Sequence, residues 1–564
     1  MRKFRKFLGI VLTAAMLAAV FAACGGNQAG QTTTAEQGAS QADTTPSQQV
    51  KTEPVEISVF DVGGSSLAFG QDDPIWQDNP MAKKILEAVN VKIKFEFPTG
   101  DGKEKLNLLL AGGDYPEIIL GPDDTSMNKM ITEKIAIPLD TLIEKEGANI
   151  TKAYGKALGL LKMSDGHIYN LTTGYGEISA GVNPPGFGSC FSIRKDAYEG
   201  IGSPKAETTD DIYAILKQLA SKYPKNDKGE KVWPMSGFKQ TWQNTMQTLL
   251  DAGGLEADYW YIDNNKLQYW VRAPYALNIV KFYNKIYREG LLDPESFTQD
   301  RDTWMKNKVQ TARTLTHLGG WWMNWTVEND YKAAGMANAE NMGFIDLAFS
   351  VPGGQTPKLT PVNRKGYTSA VITTNCKDPD AAMRLLDFMA SPEGNFQVQN
   401  GVQGIMWDLQ DGKPVMKPEY VSRWKAGEAD EKFCAETGLR LYHHFNSTDV
   451  GRSQYGSYWI LKDDPAVMDD AKARARDEQL GKYWYDTFPV SNLFAQAPDD
   501  IANINTLVDD RFNNQLYAVI MAKTEADCQT EFDKYVKDLE AAGLAKMEEY
   551  ANQVYQANIK LLGN

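Results

Sequence analysis

The chain has 564 residues, with 59 Lys+Arg against 73 Asp+Glu, a formal charge of −14 and an apolar fraction of 42%. This composition excludes a disordered polar chain, a collagen-like repeat and a disulfide-dense miniprotein, and the length accommodates two large lobes or three to four small domains, at roughly 100–200 residues each. The acidic balance argues against nucleic acid as a partner, because phosphate binding requires a concentrated basic face and no Lys/Arg run follows the first six residues.

Arg2, Lys3, Arg5 and Lys6 precede an apolar run from Leu8 to Phe21. That run is short for a permanent span and suits a secretory leader. It ends in Ala22-Ala23-Cys24-Gly25-Gly26, which resembles the bacterial lipobox, with Phe21 standing where Leu is usual. The match implies cleavage before Cys24 and a diacylglycerol on its thiol; an ordinary cleaved signal with an incidental cysteine is the alternative. Loss of residues 1–23 removes four basic and no acidic residues, moving the charge from −14 to −18. From Gly25 to Gln49 there is no aromatic or large aliphatic side chain. Such a stretch cannot bury enough surface to offset its conformational entropy, so it reads as a flexible tether over 24–52. Cys190, Cys376, Cys434 and Cys528 show neither CxxC nor zinc spacing. They read as buried free thiols, with one long-range disulfide left open for an exported chain.

The body opens as α/β. Val55, Ile57 and Val59 alternate with polar residues, predicting a half-buried strand. Asn79-Pro80 then supplies a cap and a first-turn proline for a helix over Met81 to Glu87. Val91, Ile93, Phe95 and Phe97 predict a second strand, Lys103 to Leu110 a helix stopped by Gly112-Gly113, and Glu117-Ile118-Ile119-Leu120 a third strand. Strand, helix, strand, helix, strand at this spacing predicts a parallel βαβαβ sheet. Ligands of such sheets sit beyond the carboxyl ends of the strands, here Asp61-Val62-Gly63-Gly64 and Gly121-Pro122-Asp123-Asp124. Further on, Asp378-Pro379 starts a helix with Ala382, Leu385, Leu386 and Met389 on one face. Phe532, Tyr535, Val536 and Leu539 form a second stripe, Gly543 a stop, and Met547, Tyr550, Ala551 and Val554 a third. No internal repeat is visible.

The stretch Lys105-Leu106-Asn107-Leu108-Leu109-Leu110-Ala111-Gly112-Gly113-Asp114-Tyr115-Pro116-Glu117-Ile118-Ile119 resembles the "helix, gap, Gly-Asp-x-Pro-[Asp/Glu]-Ile" signature of extracellular solute-binding proteins of ABC importers, in their large sugar-binding group. Further landmarks follow in the family's order: Asp165-Gly166-His167-Ile168-Tyr169, Ser192-Ile193-Arg194-Lys195-Asp196, Thr208-Thr209-Asp210-Asp211, and Asp378-Pro379-Asp380-Ala381-Ala382 through Ser391-Pro392-Glu393-Gly394. The resemblance covers most of 55–561. It implies an α/β, periplasmic-binding-protein-like fold with two lobes, a hinge and a central cleft. Lobe one is then expected over 53–184 and 350–374, lobe two over 185–349 and 375–564. It also implies a monomer without cofactor, held by its lipid alone at the outer face of the cytoplasmic membrane of a Gram-positive envelope, serving ABC transporter permease subunits.

The ligand class rests on side chains. Aromatic faces stack on the C–H faces of sugar rings while amides and carboxylates satisfy the hydroxyls. Trp321, Trp322 and Trp325, after Gly319-Gly320, form the densest aromatic cluster. In maltose-binding relatives an aromatic at the matching position packs on a sugar, so Trp321 and Trp322 lead; lobe core is the other reading for about half of these tryptophans. Asp123 and Asp124 match a loop where relatives bind hydroxyls, against a capping role for Asp124-Thr125. Trp242, in Lys239-Gln240-Thr241-Trp242-Gln243-Asn244, divides evenly between sugar contact and core. Asp61, at the end of the first strand, and Trp407, Tyr458 and Trp459, by family position, complete the candidate ligand-binding set.

His443-His444 lacks a third ligand for a metal. Some large relatives carry a calcium loop where this chain has Tyr223-Pro224-Lys225-Asn226-Asp227-Lys228-Gly229-Glu230-Lys231, and two lysines among the would-be ligands argue against a cation there. A peptide or another small solute is the alternative ligand. A lipid-anchored glycoside hydrolase is the enzymatic alternative; it needs two carboxylates about 5–9 Å apart, which a sequence does not display. No GxSxG, HExxH, P-loop or GxGxxG pattern is present.

Overall fold

Residues 53–64, 70–172, 190–256, 259–320, 323, 327–359, 369–425, 431–439, 441–445, 460, 480, 483 and 485–563 are described in the computed structural model. The alternating pattern builds β1 (Val55–Asp61), with Ile57 and Val59 fully buried, and β2 (Val91–Glu96) pairs parallel to it, Val55 opposite Val91. Between them runs the helix Pro80–Val89, capped by the Asn79 side chain accepting from Ala82 N at 2.8 Å. The helix Gly102–Gly112 leads to β3 (Ile118–Leu120), parallel to β1 on its other side. These five elements match the sequence expectation because each is dictated by short-range periodicity and caps.

Gly102 fixes how closely that second helix approaches β1. A Cβ there would lie 1.9 Å from the Val62 carbonyl oxygen, a backbone atom that cannot swing aside. Gly102→Ala is expected to destabilise by about 1–3 kcal/mol through this overpacking, seen as a lower urea midpoint at unchanged slope; an unchanged midpoint would show that the helix start is free to shift.

After β4 (Leu171–Thr172) the chain builds a second sheet from β5 (Cys190–Arg194), β6 (Trp233–Met235), β9 (Thr314–Gly319) and β10 (Phe344–Leu347), in the order β10-β5-β9-β6. Only β6 and β9 are parallel there. A hairpin of β7 (Trp260–Asp263) and β8 (Lys266–Tyr269) packs on the last helix, where Asn552 Oδ1 accepts from Leu267 N at 2.7 Å and Glu548 Oε1 from Tyr269 N at 2.9 Å. The chain then returns as β11 (Ser369–Ile372), antiparallel to both β3 and β4, completing a first sheet of order β2-β1-β3-β11-β4. β12 (Trp407–Gln410) and β13 (Lys413–Met416) form a small hairpin.

Each sheet has its own hydrophobic core, and these are the two lobes. The expected boundaries need two corrections. Phe349 and Val351 remain in the second core and Ser369 already pairs in the first sheet, so the return to lobe one follows residue 351. The helix Pro379–Ala390, expected in lobe two, belongs to the first core with Cys434, Leu441, Tyr442 and Phe445. Its Asp387 carboxylate accepts from Asn149 N at 2.8 Å and Ile150 N at 2.9 Å, capping the start of the helix Ala148–Tyr154. The chain crosses again between Phe488, in the first core, and Val490, in the second. The helices Asp499–Ile520, Glu525–Ala542 and Leu544–Leu562 complete lobe two. Among the described residues no helix is long and apolar enough to cross a membrane.

Candidate functional site

The lobe-one candidates lie at the carboxyl ends of β1 and β3, where Asp61 stands opposite Leu120. Asp61 is buried; its Oδ1 accepts from Gly63 N at 3.0 Å and its Oδ2 meets His444 Nδ1 at 2.5 Å. One strand along, Asp123 caps the helix Asp124–Thr132, Oδ1 accepting from Ser126 N at 2.8 Å, while Oδ2 meets Lys103 Nζ at 2.5 Å. Burial works against ionisation of Asp123, yet the Lys103 ammonium and the Ser126 groups hold its carboxyl below the usual range. The cap expected at Asp124-Thr125 is thus supplied by Asp123, and Asp124 is the first helical residue.

On lobe two, β6 and β9 are adjacent and parallel, with Met235, the last residue of β6, opposite Thr316, and β9 runs on to Gly319. Beyond β6, Ser236-Gly237-Phe238 leads into the helix Lys239–Ala252, whose first turn carries Trp242; the placement of that side chain lies outside the described residues. Beyond β9, Gly319-Gly320 leads directly into the tryptophan-rich segment. Trp321, Trp322 and Trp325 lie outside the described residues, as do Tyr458, Trp459 and Cys24. Within that segment Met323 is described, and it is fully buried against Phe238, Trp304 and Tyr331. Ser236 and Gly320 thus follow adjacent parallel strands.

Trp407 is placed differently from expectation. It is 1% exposed in β12, its Nε1 donates to Gly401 O at 2.8 Å, and Phe396 stands edge-on to it at 5.0 Å. A ring enclosed on both faces has no surface left for a sugar, so Trp407 is core.

The remaining polar features are local. The Asn226 amide closes the 225–231 loop: Oδ1 accepts from Lys228 N at 3.1 Å and Glu230 N at 2.9 Å, while Nδ2 donates to Glu230 Oε2 at 2.8 Å. Among the described residues, no three His, Cys, Asp or Glu side chains gather as a metal site would require. Cys376 and Cys528 are free thiols, and burial pushes the Cys376 thiol up to about 12. Beside the candidate Asp61 stands His444, which the sequence does not single out as a ligand residue. In the sequence His444 reads only as half of a metal pair, and its contact with Asp61 spans 383 residues.

A family model described as bacterial extracellular solute-binding protein matches residues 77–396. The fructooligosaccharide ABC transporter substrate-binding protein FusA of Streptococcus pneumoniae is 24% identical over 520 residues, 86% of this chain and 89% of that one. Lipoprotein LipO of Bacillus subtilis is 24% identical over 351 residues, 59% of this chain and 65% of its own. The structure of FusA in complex with kestose has a TM-score of 0.65 at 20% identity, covering 89% of this chain and 99% of that one. A solute-binding protein described as HMO-binding and ABC-transporter-associated, from Bifidobacterium longum infantis, has a TM-score of 0.62 at 16% identity, covering 89% and 98%. These structural likenesses establish the two-lobed solute-binding fold.

Proposed function

We propose, from the premise that this chain belongs to the bacterial extracellular solute-binding protein family, that it captures an oligosaccharide and passes it to the permease of an ABC transporter without chemically altering it. The observation that carries this reading is the end-to-end likeness to FusA, which takes in both lobes rather than one motif. In this reading the leader is cleaved, a lipid on Cys24 holds the protein at the outer face of the membrane, and the segment up to residue 52 is its tether. The protein acts as a monomer, and the permease subunits read its closed form.

Closure requires a ligand that touches both lobes, since contacts with one lobe favour neither state. The segments beyond β6 and β9 face this task from lobe two, with Trp321, Trp322, Trp325 and Trp242 as stacking surfaces. From lobe one the carboxylate of Asp123 retains lone pairs for hydroxyls beside its two protein partners. Tyr458 and Trp459 remain candidates by family position.

A thermal-shift screen of residues 53–564, one compact unit, tests the reading against neutral and acidic oligosaccharides, with peptides as controls. A ligand at about a hundred times its Kd adds about 2.7 kcal/mol to the native state. The expected result is a saccharide shift that disappears in Trp321→Ala or Trp322→Ala. Shifts with peptides alone would replace the ligand class, and hydrolysis of a glycan by the pure protein would end the transport reading.

A further inference from the structure

We propose that His444 is a ligand-contacting residue of lobe one, its Nε2 accepting a hydrogen bond from a hydroxyl of the captured saccharide, and that Asp61 is the residue that positions it. This rests on the oligosaccharide reading above and names the polar group on the β1 side of the cleft. Asp61 is the last residue of β1, at the carboxyl edge of a parallel sheet where ligands of such sheets bind. Its two oxygens have separate duties. Oδ1 takes the Gly63 N–H, which holds the carboxylate in one orientation, and Oδ2 takes the His444 ring.

A carboxylate has no proton to give, so the shared hydrogen belongs to His444 Nδ1; whenever the ring is neutral, that tautomer carries its lone pair on Nε2. That nitrogen has no hydrogen-bond partner among the described residues, and the side chain is 21% exposed. The ring is held in place around it. His443 packs on it with centroids 4.0 Å apart, and His444 Cε1 lies 3.5 Å from where a Cβ on Gly63 would stand. The backbone beneath is equally fixed, because Tyr442 OH donates to Trp76 O and accepts from Asn79 Nδ2, both at 2.9 Å, and Phe445 is in the first core. An acceptor held by its neighbours, oriented by a buried carboxylate and left open to solvent, suits a hydroxyl-bearing ligand; an imidazole serving only to staple 441–445 onto β1 has no need of an open Nε2.

The two roles separate in one experiment on the whole soluble protein. The chain has four histidines, so selective ¹⁵N-histidine labelling resolves each ring by NMR while calorimetry gives the Kd of the best oligosaccharide from the screen. In the wild type the His444 ring is expected to show a protonated Nδ1 and an unprotonated Nε2, and saturating ligand shifts the Nε2 signal. Asp61→Asn offers its amide N–H to Nδ1, moves the proton to Nε2 and turns the acceptor into a donor; the Kd then rises about tenfold or more while the melting temperature changes by only a few degrees. His444→Phe, which keeps the packing on His443, is expected to weaken binding similarly. A wild-type Kd in both variants, or an Nε2 signal that ligand leaves unmoved, overturns the proposal while the capture reading stands. A wild-type protein that binds no oligosaccharide in the panel removes that reading, and this inference with it.

Discussion

Acidification from pH 6.5 to pH 4 is expected to destabilise the protein at up to about 1.4 kcal/mol per pH unit, with His317 as the cause. This ring lies in β9, edge-on to Trp304 with centroids 6.0 Å apart and tilted against Phe344 at 5.3 Å. Complete burial penalises the charged imidazolium and lowers its pKa to about 3. An unfolded chain takes up that proton near pH 6.5, whereas the folded chain resists it until about pH 3. Within that window the unfolded state binds more protons, so stability is full above pH 6.5 and is lost as the pH falls toward 3. Glu256 acts in the opposite sense. Burial raises its pKa despite its ion pair with Lys358, so the folded state protonates it first and gains from acid. His317→Phe, which keeps an aromatic ring between Trp304 and Phe344, is expected to flatten the acid limb, and Glu256→Gln to steepen it. Urea midpoints of the three proteins at pH 7, 6 and 5 check this; equal slopes for wild type and His317→Phe would assign the acid limb to other groups.

How much of this molecule is legible in its sequence depends on the distance over which each feature is decided. β1, β2, β3 and the helices between them follow from alternation and from caps such as Asn79 with Pro80, all settled within a few residues. The helix Pro379–Ala390 shows the limit. Its stripe of Ala382, Leu385, Leu386 and Met389 is buried as periodicity predicts, yet Met383, Asp387 and Phe388 are buried too, and the helix sits in lobe one. Asp387 is a polar residue whose burial makes sense only once the start of the helix Ala148–Tyr154 is placed against it. Trp407 shows why aromatic candidates divide: a sugar platform and a core filler both require a flat apolar ring, and only the packing of Phe396 and the Gly401 carbonyl identifies the second. The Asp61–His444 contact joins residues too far apart for any local pattern to reveal.

Lys308→Met is expected to cost about 3–5 kcal/mol. Lys308 stands in the π-helical turn Met305–Val309 and is 3% exposed, with its ammonium 3.1 Å from Asp293 Oδ2 and 2.8 Å from Glu295 Oε2. Asp293 is fully buried. It also accepts from Ser236 Oγ at 2.8 Å and, through Oδ1, from Glu295 N at 3.1 Å, tying the end of β6 to the turn Pro294–Phe297. Methionine fills the volume of lysine but removes the cation, leaving a carboxylate out of water with only neutral donors. Asp293→Asn should cost less, because Lys308 keeps Glu295, whose carboxyl it already holds below the ordinary range. The double variant Lys308→Met, Asp293→Asn should then be more stable than Lys308→Met alone, since the asparagine no longer carries a charge in need of a partner. Urea midpoints for the four proteins form the cycle. Strict additivity would mean that water reaches Asp293 and replaces the ammonium. Strong coupling would make this pair the fixed point on which the end of β6 is held beside β9.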